Sequence, residues 1–149
     1  MGSDEFVTIS APSVTRTSGA GAVISVTFSW RGVERRLWFS VEEPFVDYLT
    51  AERSDGFLVA LLCWAMHFNV NLRFTAPVSR KLFFTVTRFL LPTMKASHPW
   101  DNIVRIEAPL ADEPVLSAGA CGTGLSCGGD SLAVVAEFFL NSDAPPPPN

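Results

Sequence analysis

From residue 22 to residue 41 hydrophobic and polar positions alternate with period two. Ile24, Val26, Phe28 and Trp30 fall on one face, and Val23, Ser25, Thr27 and Ser29 on the other. After Arg31-Gly32 the alternation resumes at Leu37, Phe39 and Val41. Successive strand side chains point to opposite faces, so this pattern predicts an antiparallel hairpin about a short glycine-containing turn. Residues 6–10 read as a further strand, with Gly19-Ala20-Gly21 as the loop before the hairpin.

The period changes after Pro44. Residues 45–52 predict a short helical stretch, and Ser54 or Asp55 can cap a second helix running to about Phe68. That helix is apolar nearly all round, which predicts burial and puts Cys63 in the core. Residues 70–74 form a short strand. Pro77 opens a third helix with Phe83, Val86, Leu90 and Leu91 on one stripe, which Pro92 ends or kinks. Residues 103–107 read as a strand, and 115–125 as a small-residue strand leading through Gly, Ser and Cys into an apolar helix over 132–140. The last residues, 141–149, include four consecutive prolines and form an extended tail.

Composition narrows the classes. The chain has 149 residues, 48% hydrophobic and only 17% charged, with a net charge of −4. The length suggests about one domain, and the hydrophobicity excludes disorder over most of it. A pI near 5.1 supplies no basic field for nucleic acid. Three cysteines without a CxxC pair and two histidines disfavour a disulfide framework or a zinc site. The N-terminus is acidic where a secretory signal is basic, and the apolar run 57–66 is too short to span a bilayer. The expected compartment is cytoplasmic.

The residues with the most chemical content are Gly122-Thr123-Gly124-Leu125-Ser126-Cys127-Gly128-Gly129-Asp130-Ser131. Glycines before a helix admit an anion to backbone N–H groups, and the helix dipole favours negative charge there. A Walker A loop fits at Gly124, Gly129 and Ser131 but has Asp130 where its lysine must stand. A nucleophile elbow fits at Gly124, Ser126 and Gly128, yet both histidines precede the serine. A dinucleotide fingerprint has Cys127 in place of its third glycine.

The run Ser126-Cys127-Gly128-Gly129-Asp130-Ser131 resembles the Ser-Gly-Gly-x-Asp-Ser pyrophosphate loop of the PP-loop ATP pyrophosphatases, with Cys127 departing from the pattern. The resemblance covers about residues 118–140. It implies a Rossmann-like parallel α/β domain that cleaves ATP between its α- and β-phosphates and adenylates an acceptor for amidation or thiolation. It assigns Ser126, Gly128, Gly129 and Ser131 to pyrophosphate, and Asp130 to Mg²⁺ or loop ordering. The physical reading agrees: Asp130 would repel phosphate unless a cation lies between them. A capped helix start without a ligand remains the alternative.

The expected fold is therefore an α+β N-terminal region of antiparallel hairpin plus helices over 1–110. The first βα unit of a Rossmann-like α/β nucleotide-binding domain follows over 111–140, then the tail over 141–149. ATP and Mg²⁺ are the expected cofactors, with an acceptor substrate as the second partner. The sheet that would hold adenine and ribose is not in the sequence. The expectation is thus a fragment, inactive alone as an ATP-dependent ligase or transferase, that is completed by a C-terminal domain or a homo-oligomer. The second class of function is a non-enzymatic interaction module. Among other residues, His67 can cap the second helix, His98 packs in a loop beside Trp100, and Arg80, Lys81 and Arg88 occupy a solvated helix face.

Overall fold

The computed structural model describes residues 5–17, 19–112, 128–136 and 140. Contacts divide the chain into two compact units, Met1–Pro114 and Val115–Asn149. In the first unit, β3 (Gly21–Trp30) and β4 (Val33–Val41) form the hairpin, paired from Ala22↔Val41 to Trp30↔Val33. Arg31 and Gly32 both have positive φ, 53° and 73°. That is the primed two-residue turn whose twist matches the flanking strands.

Two short strands lie end to end along β3. They are β1 (Phe6–Ile9), with Ile9↔Phe28, and β2 (Ser13–Thr17), with Ser13↔Ser25. Pro12 interrupts this line because it has no N–H to donate to the ladder. The Ser10 side chain fills in, its hydroxyl oxygen accepting the Thr27 N–H at 2.9 Å. β5 (Asn71–Phe74) then pairs parallel to β1, and β7 (Ile106–Glu107) parallel to β5. The result is a mixed sheet. A separate parallel pair joins β6 (Val78–Ser79) to β8 (Leu110–Ala111).

Helices fill the connections. A 3₁₀ turn spans Glu43–Tyr48, and α1 (Asp55–Phe68) leads from β4 to β5. α2 (Arg80–Thr85) and α3 (Leu91–Ser97) are joined by a π-helical turn, Val86–Leu90. Pro92 explains the turn. Its ring would collide with a carbonyl one turn earlier. The helix widens before it, with the Leu91 N–H reaching back to the Val86 carbonyl, and then continues to Ser97. The helix expected from Pro77 therefore begins at Arg80, and the preceding residues form β6.

One core holds this unit together. Val7, Ile9, Val26 and Leu72 from the strands meet Leu58, Leu62 and Met66 of α1 and Val86 and Leu91 of the second helical segment, all at most 3% exposed. The alternate strand positions Thr8, Thr27, Ser29, Arg36 and Arg73 are exposed, so the helices cover one face of the sheet. α1 is not buried all round. Phe57, Leu58, Leu61, Leu62, Ala65 and Met66 face the core, whereas Gly56, Val59, Ala60 and Cys63 are exposed. Uniform apolarity concealed this orientation, and Cys63 is a surface thiol rather than a core residue. No helix among the described residues is long and apolar enough to cross a membrane.

Candidate functional site

In the second unit α4 spans Gly129–Val135. Gly128 precedes it in an extended conformation, φ −81° and ψ 166°, so the chain turns from extended to helical between the two glycines. A Cβ added at Gly129 would meet nothing within 4 Å. Packing does not demand glycine there, whereas close approach of an anion would. Gly128, Gly129 and Asp130 are exposed, and Asp130 is the acid of the first turn.

Ser131 is half-buried, and its hydroxyl donates to the Gly128 carbonyl at 3.0 Å. The Leu132 N–H reaches the same carbonyl at 3.1 Å. Gly128, Gly129, Asp130 and Ser131 therefore share one helix start, with Ser131 folded back on it. Ser126, Cys127 and the expected strand over 115–125 lie outside the described residues. No group of three or more His, Cys, Asp or Glu among the described residues could hold a metal ion. A cation at Asp130 would thus find no set of three such side chains among the described residues, and would complete its shell with phosphate and water. Mg²⁺ commonly does so, binding through one or two carboxylates plus substrate phosphates.

The first unit contains a polar cluster that sequence spacing did not reveal. The Asp55 carboxylate accepts the Ser79 backbone N–H at 2.7 Å and also its hydroxyl, and Arg53, 9% exposed, donates to that hydroxyl at 3.2 Å. Neither Ser54 nor Asp55 caps α1 with its side chain. Ser54 is fully buried with its hydroxyl unbonded, and Asp55 is turned toward Ser79. Beside the cluster a shallow cavity of about 510 Å³ is lined by Gly56, Val59, Lys81, Leu82 and Thr85 together with Asp55 and Ser79. Its walls are largely apolar and its one cation is Lys81. The cluster ties the start of α1 to the start of α2.

The remaining candidates hold local roles. His67 lies 3.5 Å from an Asp101 carboxylate oxygen, His98 packs edge-on against Trp100, and Arg88 is exposed. Arg80 makes a two-pronged ion pair with Asp112, one arm at 3.0 Å. Its donated hydrogen bonds lower the Asp112 carboxyl below its ordinary value, and the same pair raises Arg80.

Comparison with protein-family models, with curated proteins and with solved structures returns no match to this chain.

Proposed function

We propose that residues 126–131 are the pyrophosphate loop of a PP-loop-type ATP pyrophosphatase, the ATP-binding part of an enzyme that adenylates an acceptor for amidation or thiolation. The reading rests on one observation: in a run resembling that loop, two exposed glycines and an exposed aspartate stand where an extended chain turns into a helix. Rossmann-like surroundings and a cytoplasmic location, where ATP and reduced thiols coexist, belong to the same proposal.

Each residue then has a task. Gly128 and Gly129 let the chain lie close to the pyrophosphate, and first-turn N–H groups with the helix dipole favour its charge. The Ser126 hydroxyl donates to the same group. Ser131 gives up its bond to the Gly128 carbonyl and turns its hydroxyl to a phosphate oxygen, exchanging one neutral hydrogen bond for a charge-assisted one. Asp130 holds Mg²⁺ against the phosphates and so avoids direct repulsion. Bound Mg·ATP supplies an electrophilic α-phosphate with pyrophosphate as its leaving group.

Calorimetric titration of the intact, full-length protein with Mg·ATP tests the proposal. Saturable heat that needs Mg²⁺ and is lost in Asp130→Ala is the expected result. A flat titration of folded protein overturns it. That outcome favours the second reading, an interaction module, whose supporting observation is the Ser131 hydroxyl bound to Gly128 in a closed helix start.

A further inference from the structure

We infer that the free edge of β4 is a self-association surface, on which a second copy of this chain pairs antiparallel about a two-fold axis at Leu37. This stands apart from the nucleotide site. Among the described residues β4 pairs with β3 alone, and its other edge presents a row of backbone donors and acceptors nine residues long. Such an edge is a template for another strand unless something blunts it. β4 has neither proline nor lysine; its charges, Glu34, Arg35 and Arg36, lie in the first half of the strand, and Val33, Trp38 and Phe39 along it are 52%, 55% and 45% exposed.

The strand sequence complements itself. With Leu37 on the axis, all nine residues from Val33 to Val41 are paired. On the open face Arg36 lies opposite Trp38 of the second copy and Glu34 opposite Ser40. On the helix-bearing face Arg35 lies opposite Phe39, and Leu37 meets Leu37. Arg36 makes no ion pair within its own chain among the described residues, and here each copy sets it against an exposed indole, a favourable cation–π pair. Moving the axis to Arg36 would set two guanidiniums face to face, and moving it further along shortens the overlap.

The helix beside the edge fits the same occupant. A cavity of about 450 Å³ lies between β4 and α1, lined by Phe28, Leu37, Ala60, Leu61 and Trp64 together with the charged Glu34, Arg35 and Arg36. A second copy on the β4 edge brings its own α1 to the same side of the sheet, over this cavity.

Sedimentation equilibrium of the 149-residue chain is the test. A dimer is expected. Trp38→Lys, at an exposed position, sets an ammonium against the partner's Arg36 twice and should raise the dissociation constant about tenfold with unchanged circular dichroism. The double variant Arg36→Glu/Trp38→Lys restores opposite charges in this register and should recover the dimer. A chain that stays monomeric at every concentration overturns the inference. So does a dimer indifferent to Trp38→Lys, or a loss that the double variant fails to restore.

Discussion

The Asp55 carboxylate and the Ser79 backbone N–H meet at 2.7 Å, although 24 residues separate them in the chain. The same carboxylate takes the Ser79 hydroxyl, which also accepts from Arg53. Beside them the Ser54 N–H bonds to the Pro77 carbonyl at 2.8 Å. The entry to α1 is thereby fastened to the entry to the second helical segment. A hydrogen bond to a charged partner is worth roughly 1.5–3 kcal/mol, a neutral one about 1 kcal/mol. Asp55→Ala should cost about 2 kcal/mol in urea unfolding, and Ser79→Ala, which keeps the backbone bond, about 1 kcal/mol. Equal losses for the two would put the weight on the hydroxyl and contradict this account.

Two hairpin glycines have positive φ for different reasons. Gly32, at +73°, lies in the turn with open space where a Cβ would stand. Gly21, at +100°, would drive a Cβ into the Val41 carbonyl oxygen, with the Glu42 backbone 2.9 Å away. Gly32→Ala should therefore cost only the left-handed penalty, roughly 1–2 kcal/mol. Gly21→Ala adds a collision with backbone that cannot rotate aside, and should cost more than about 3 kcal/mol. Denaturation midpoints of the two variants make the comparison, and similar midpoints would remove the steric argument.

What the sequence revealed follows from how long each pattern runs. The β3–β4 hairpin and α1 were legible because each sustains its period over many residues. β2 was missed because all five of its residues are exposed and no alternation marks them. The parallel pairing of β1, β5 and β7 rests on strands of four, four and two residues, too short to declare their partners. A helix after the glycines was legible from the apolar run expected over 132–140, but it starts at Gly129, three residues earlier, because the Leu132 N–H already bonds back to the Gly128 carbonyl. The Arg53–Asp55–Ser79 cluster was not legible, because the chain from Asp55 to Ser79 must fold before those groups meet.

The orientation of α1 can be tested chemically. Leu58 is fully buried and Cys63 is exposed on the opposite side. Leu58→Ala should cost about 3 kcal/mol, within the usual 2–5 kcal/mol range for emptying a packed leucine site. Cys63→Ser should stay within about 0.5 kcal/mol of the parent. With Cys121 and Cys127 replaced by serine, native Cys63 should react with a thiol reagent as fast as the unfolded chain does, within about tenfold. Reaction only after unfolding would return Cys63 to the core.

The Arg80–Asp112 pair sets a direction with pH. Hydrogen bonds from the guanidinium, aided by its charge, hold the Asp112 carboxyl below its ordinary value, although partial desolvation opposes them. A folded-state value below the unfolded one means that the carboxylate favours the folded form. Its contribution is complete above the unfolded value and disappears as pH falls through the folded one. Arg80, raised by the same pair, stays charged throughout. Both side chains are more than half exposed, so the effect on global unfolding should be small and should shrink further with salt. The sensitive measurement is the Asp112 carboxyl carbon resonance. Its midpoint should lie below that of an unpaired aspartate and rise toward it in Arg80→Ala, while β8, which ends one residue before Asp112, keeps its pairing with β6. An Asp112 midpoint that Arg80→Ala leaves unmoved would show that the pair does not persist in solution.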